Sequence, residues 1–157
     1  MKQNKILVIG LGNTILCDDA AGIIIGKGIT EKVSRDRIDF VEASYAGWRL
    51  IDILRGYKRL IIVDSIVGDK YVPGECYKVD PAQICSLHLS STHGMGLNEA
   101  IEFAKQNGYE MPDTIALYAV GVKNPFEFGE TVCGEVMDKI PGIIDQIIRE
   151  ENLQHKK

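Results

Sequence analysis

The sequence has no long apolar stretch and no concentration of basic charge. No segment of the 157-residue chain approaches the ~20 consecutive apolar residues that a membrane span needs. The apolar run at 6–9 is too short for the core of a secretory signal, and no cleavage site follows it. The formal net charge is −4, and no basic stripe supports binding to nucleic acid or to an anionic membrane. We therefore expect a cytoplasmic protein.

Cysteine is scarce, and its spacing argues against common metal and redox motifs. No two of the four cysteines form a C-x-x-C pair, so we expect neither a zinc ribbon nor a dithiol redox motif. In a reducing compartment the cysteines at 17, 76, 85 and 133 should be free thiols, mostly buried. The chain also has no repeat, linker or low-complexity tract. We predict one domain over 1–151 and a polar, frayed tail over 152–157.

Apolar segments of strand length alternate with helical patterns along the chain. The first segment, 5–10, ends in glycine and is typical of a buried parallel strand. Further strands are predicted at 38–42, 59–64, 74–79 (a sheet edge) and 114–121, and helices at 18–33, 47–54, 97–106 and 131–151, with a short helical piece from Pro81 and a kink or split at Pro141. This alternation predicts a single three-layer α/β domain, with a twisted, mostly parallel five-stranded sheet and helices on both faces.

Three polar residues fall beyond the predicted carboxyl ends of strands, where ligands bind in open α/β sheets. Asp19 follows the first strand, Asp64 ends the third, and His93 lies in the loop 90–96. Two carboxylates and an imidazole can bind a borderline divalent metal such as nickel or zinc. The same groups could act as general acids and bases.

Each of these residues also has a simpler explanation. Asp19 could support the N-terminus of the following helix, and Asp18 could do the same. Asp64, next to Ser65, could form a turn, and His93 could be an ordinary loop histidine. The convergence of three separate segments on one sheet edge favours a shared site.

The segment Gly10-Leu11-Gly12 suggests a rival function, a nucleotide-binding module of the Rossmann type. Glu42 ends the second strand, where an acid that binds ribose would stand. However, Ile15 replaces the third glycine of the G-x-G-x-x-G pattern. Asp18 and Asp19 would also place two negative charges where pyrophosphate meets the helix, which opposes phosphate binding. We therefore predict no nucleotide site.

Four segments containing these residues resemble the motifs of a known family, the endopeptidases that mature nickel–iron hydrogenases. The segments match in order and spacing, and the similarity extends over nearly the whole chain. They are Gly10–Gly22 (GLGNTILCDDAAG), Ser44–Gly47 (SYAG), Leu60–Val67 (LIIVDSIV) and Ser91–Leu97 (STHGMGL). One such segment would be a weak signal, but four in the right order are specific.

The resemblance implies an activity and a partner. Members of the family remove a C-terminal extension from the precursor of the hydrogenase large subunit after nickel has been inserted. Their three metal-contacting positions correspond to Asp19, Asp64 and His93, which we therefore predict as both catalytic and metal-binding residues. The nickel is carried by cysteines of the precursor, and zinc or another divalent metal could occupy the resting site.

The resemblance leaves the chemistry open in two respects. Many members have glutamate at the first position, so the shorter Asp19 would have to lie closer to the metal. Nickel could orient the peptide only, or it could also polarise the scissile carbonyl. Asp19 could alternatively activate water. A non-catalytic chaperone that binds the precursor without cleaving it is a further alternative.

Overall fold

A five-stranded sheet in the order β2-β1-β3-β5-β4 forms the centre of the fold. The computed structural model describes residues 2–44, 48–80 and 97–156. The strands are β1 (Ile6–Leu11), β2 (Ile38–Ala43), β3 (Arg59–Ile66), β4 (Cys76–Val79) and β5 (Thr114–Gly121). Among the strands of the described residues, only the edge strand β4 is antiparallel, and it pairs with β5. The predicted five-stranded, mostly parallel sheet is therefore confirmed.

The helices lie on both faces of the sheet, as predicted. They are α1 (Ala21–Lys32), α2 (Trp48–Leu54), α3 (Leu97–Gln106), α4 (Gly134–Met137) and α5 (Ile140–Glu150). Side chains alternate between the faces along each strand. In β3, Ile61 and Val63 pack in the core with α1 and α5, whereas Leu60 and Ile62 pack in the core with α2 and α3.

Two predicted helices differ from the observed ones at their ends. The segment predicted as one helix over 18–33 begins with a 3-10 turn, Cys17–Ala20, and becomes α-helical at Ala21. The predicted helix 131–151 is split into α4 and α5, and Pro141 lies in the first turn of α5. Proline is tolerated there because its missing N–H would have no intrahelical partner. The helical piece predicted from Pro81 and the loop 90–96 lie outside the described residues.

The beginning of α1 packs unusually close to the sheet. A Cβ atom on Gly22 would lie 2.5 Å from the carbonyl oxygens of both Leu11 and Val63, and one on Gly10 would lie 2.7 Å from the Cα of Ile23. Glycine allows this approach because it has no side chain. The first turn of α1 is consequently held against the carboxyl ends of β1 and β3.

The residues after α5 are attached to the end of α1. Val33 and His155 form an antiparallel bridge, the N–H of Lys156 donates to the carbonyl of Lys32 at 2.8 Å, and Leu153 is buried. These contacts are those of a packed segment, whereas the polar composition had indicated a frayed tail. The burial of Leu153 and the hydrogen bonds of Lys156 to the end of α1 hold this segment.

The state of the cysteines and the length of the helices were also predicted from the sequence. Cys17, Cys76 and Cys133 are free thiols as expected, but they are half-buried; Cys85 lies outside the described residues. In the described part of the chain, no helix combines the length and the apolar character needed to cross a membrane.

Candidate active site

Asp19 is a buried carboxylate in the turn that connects β1 to α1. Its side chain is 2% exposed. A Cβ atom on Gly12, whose φ is +153°, would lie 2.0 Å from the carbonyl oxygen of Asp19, so glycine is required at this point. The 3-10 turn thus directs Asp19 to the carboxyl end of the sheet through backbone packing.

Asp64 lies inside β3 and not in a turn. Its side chain is fully buried, and β3 continues to Ile66, with Asp64 opposite Ala119 of β5. The Oδ1 atom of Asp64 accepts the backbone N–H of Ser65 at 2.8 Å. The alternative of a turn-forming aspartate is therefore wrong, because both neighbours in the strand pair continuously with β5.

Ser65 connects the two carboxylates. Its hydroxyl donates to Asp19 Oδ1 at 2.8 Å, while its backbone N–H donates to Asp64. Two such bonds through one residue limit the separation of the two Oδ1 atoms to roughly 9 Å. The sequence motif contained Ser65, but nothing in its local pattern marked it as the link between Asp19 and Asp64.

Asp18 has a different role from the one that the sequence suggested. Its fully buried carboxylate accepts backbone N–H groups of Lys123 at 3.1 Å, Asn124 at 2.9 Å and Cys133 at 2.7 Å. Burial by itself raises the pKa of Asp18, but these hydrogen bonds outweigh it and hold the pKa below its ordinary value. Asp18 therefore anchors the loop 122–133 next to Asp19.

The third predicted ligand, His93, lies outside the described residues, so its position relative to the two carboxylates stays a prediction. Within 2–44, 48–80 and 97–156, no three His, Cys, Asp or Glu side chains are grouped as a metal site requires. The donor chemistry of two buried carboxylates nevertheless suits a divalent cation, and an imidazole from the 81–96 segment would complete the predicted set.

Residues 25–150 match the family model described as hydrogenase maturation protease. The chain belongs to the hydrogenase maturation protease family. The matched range contains Asp64 and His93 and begins six residues after Asp19.

Individual relatives of this protease agree with the family assignment. The Hydrogenase 2 maturation protease of Escherichia coli (strain K12) is 29% identical over 119 residues, which cover 74% of this chain and 72% of the relative. The structure of the hydrogenase maturating endopeptidase HybD from E. coli superposes with a TM-score of 0.76 at 26% identity, covering 96% of both chains. The maturation protease HycI from Thermococcus kodakarensis KOD1 shares the fold, with a TM-score of 0.67 and 21% identity over 94% of this chain and 92% of that one.

The structure of this protease also explains the glycines that suggested nucleotide binding. Gly10 and Gly12 are needed where Ile23 and Asp19 approach the end of β1. Glu42, the candidate ribose ligand, forms an ion pair with Lys27 at 2.6 Å. The glycine pattern is thus accounted for by packing of the chain on itself.

Proposed function

We propose that this protease removes the C-terminal extension from the precursor of a nickel–iron hydrogenase large subunit after nickel insertion, in the cytoplasm. We further propose that Asp19, Asp64 and His93 contact the nickel that the precursor carries. The observation that carries the proposal is the connection of two buried carboxylates through Ser65 at the carboxyl end of β3. In a protease of this family, that is where a substrate-bound cation would be recognised.

Electrostatics gives the reason for nickel-dependent recognition. Two nearby carboxylates repel one another when both are charged, and a nickel-free peptide provides no compensating charge. A nickel ion held by thiolates of the precursor provides positive charge and open coordination positions. The complex should therefore form favourably only with the loaded precursor.

The hydrolytic step adds water across one peptide bond. Asp19 is the candidate for taking the proton of the attacking water and delivering it to the nitrogen of the departing peptide, because its Oδ1 is held by the Ser65 hydroxyl at the carboxyl end of the sheet. A divalent ion at the site would supply Lewis-acid polarisation of the scissile carbonyl. In the resting protein, the same three side chains are those that would hold zinc or another divalent metal.

The decisive experiment compares nickel-loaded and nickel-free precursor as substrates of the purified protease, with mass spectrometry of the products. We expect shortening of the loaded precursor and none of the unloaded form. Discrimination of ~100-fold corresponds to about 2.7 kcal/mol of differential binding, which one or two metal–ligand contacts can provide.

A zinc-loaded precursor is the matched control. Charge alone would permit its cleavage, whereas a requirement for the coordination geometry of nickel would not. Equal cleavage of loaded and unloaded precursor would refute nickel gating and leave the peptidase activity standing. Binding of the precursor without any cleavage would instead identify a chaperone.

A further inference from the structure

The loop 122–133, which connects β5 to α4, is fixed against the turn that carries the candidate active site. Both of its ends donate backbone N–H groups to the buried carboxylate of Asp18. Its middle pairs with the residues that precede Asp18. The N–H of Cys17 donates to the carbonyl of Glu127 at 2.9 Å, and the N–H of Gly129 donates to the carbonyl of Ile15 at 3.0 Å. The loop therefore has a defined position beside Asp19.

This defined loop presents two aromatic side chains to solvent. Phe126 is 68% exposed and Phe128 is 84% exposed, and Ile15 on the paired segment is 54% exposed. Phe128 forms the antiparallel bridge with Leu16, so its backbone is held in place while its ring stays outside. We call Ile15, Phe126 and Phe128 the apolar rim.

Most of the exposed large hydrophobic side chains, including those of the apolar rim, follow the carboxyl ends of strands. In the described part of the chain, eight large hydrophobic side chains are exposed. Five of them follow the carboxyl ends of β1, β3 or β5, namely Ile15, Val67, Val72, Phe126 and Phe128. Asp19 and Asp64 lie at this same carboxyl end of the sheet. Clustered exposed apolar side chains mark interaction surfaces, whereas scattered ones need no explanation.

We infer that the apolar rim is the docking surface for an apolar surface of the folded hydrogenase precursor, and that Asp18 is the residue that positions it. This inference rests on the proposed function. The occupant follows from continuity, because Cys17, which pairs with Glu127 of the loop, begins the 3-10 turn that contains Asp19. A folded substrate that is held at Asp19 therefore lies beside the apolar rim. Aromatic side chains supply large contact areas at small entropic cost, which suits recognition of a protein substrate.

The test uses the double variant Phe126→Ser/Phe128→Ser in the full-length protease with nickel-loaded precursor. We expect KM to rise at least ~10-fold, as two lost aromatic contacts would produce, while kcat stays within about twofold, because no group near the scissile bond changes. Phe103→Ser is the matched control, since Phe103 is an exposed phenylalanine on α3, 46% accessible, and its KM should not change.

Asp18→Asn tests the positioning role. The amide keeps one acceptor oxygen and places an NH2 group against backbone donors, so the loop should lose part of its attachment. We expect KM to rise, and we expect the triple variant Asp18→Asn/Phe126→Ser/Phe128→Ser to have no higher KM than the double variant. Additive effects on KM would contradict the positioning role.

The outcomes separate the two proposals. If the unmodified protease does not cleave loaded precursor, the proposed function fails. The docking surface can then still be tested by calorimetry, which compares the affinity of the unmodified protease and of the double variant for the precursor. If it cleaves the precursor and the double variant keeps an unchanged KM and affinity, the docking surface is refuted. Sedimentation showing a dimer that dissociates on Phe126→Ser/Phe128→Ser would also overturn it, because a second copy would then be the occupant. Should Asp18→Asn fail to fold, the phenylalanine variants decide alone.

Discussion

The hydroxyl of Ser65 donates a hydrogen bond to Asp19 Oδ1 at 2.8 Å, and both residues are buried. This bond joins the 3-10 turn before α1 to the end of β3. Since the backbone N–H of Ser65 also donates to Asp64, one residue sets the position of both candidate acids.

Replacing Ser65 by alanine should impair the site more than the fold. The substitution leaves a buried carboxylate without one donor, which costs about 1–3 kcal/mol of unfolding free energy. We expect cleavage of nickel-loaded precursor to slow by ~10-fold or more, in line with this loss. Thr30→Ala is the control, because it removes a hydroxyl hydrogen bond to the Lys27 carbonyl on the exposed side of α1. Normal cleavage by Ser65→Ala would show that Asp19 needs no such support.

Asp64→Asn and His93→Ala should abolish processing of the loaded precursor. Asp64→Asn removes the charge of a proposed metal-contacting group at nearly unchanged side-chain volume, and His93→Ala removes the proposed imidazole ligand. We expect urea unfolding of both variants to stay cooperative. Asp36→Asn and His155→Ala are the controls, because both residues are exposed, and both variants should process normally. Cleavage at the unmodified rate by either test variant would remove that residue from the site.

The close approach of α1 to the sheet should make Gly22 irreplaceable. Gly22→Ala would place a Cβ atom 2.5 Å from two strand carbonyl oxygens, and relieving such overlap costs about 1–3 kcal/mol. We expect lower stability in urea together with reduced cleavage, because Asp19 precedes this turn. Gly142→Ala in α5, where no atom lies within 4 Å of the new Cβ, should stabilise by about 0.5–1 kcal/mol. Equal effects of the two substitutions would argue against the packing described.

Glu151 should make stability depend on pH in the acid range. Its carboxylate is 4% exposed and accepts hydrogen bonds from Lys78 at 2.7 Å, Tyr118 at 2.6 Å and Arg59 at 2.6 Å. Burial by itself raises the pKa of Glu151, but these donors lower it below the ordinary 4.5. Glu150 approaches the same cluster through the Tyr118 hydroxyl.

A lowered pKa in the folded state stabilises the fold at pH values above the unfolded pKa, and this contribution is lost as the pH falls through the folded pKa. Relative to Glu151→Gln, the unmodified protein should therefore be more stable at neutral pH, and its advantage should shrink below pH 4.5. Urea unfolding of both proteins across this range measures the difference. A constant difference at all pH values would contradict the charged state assigned to Glu151.

The sequence determined the class of fold and two of the candidate residues' positions. Apolar runs such as 59–64 are local signals, because the hydrophobic effect favours burial of these residues in any fold. The alternation of such strands with helices then predicted the parallel sheet. The same alternation placed Asp19 and Asp64 at the carboxyl edge, since the carboxyl ends of parallel strands lie together. The chain after α5 was misjudged because composition does not show that Leu153 finds a buried position.

Only the tertiary structure decided how these residues interact. The Ser65–Asp19 bond joins residues 46 positions apart, and the bonds of Asp18 reach 105 to 115 positions along the chain. Such contacts depend on the strand order and on the approach of α1 to β1, which local sequence patterns do not encode. For the same reason, two adjacent aspartates of identical chemistry acquired different roles. Asp18 turns toward the backbone of loop 122–133, and Asp19 turns toward β3, because the 3-10 turn directs successive side chains to different neighbours.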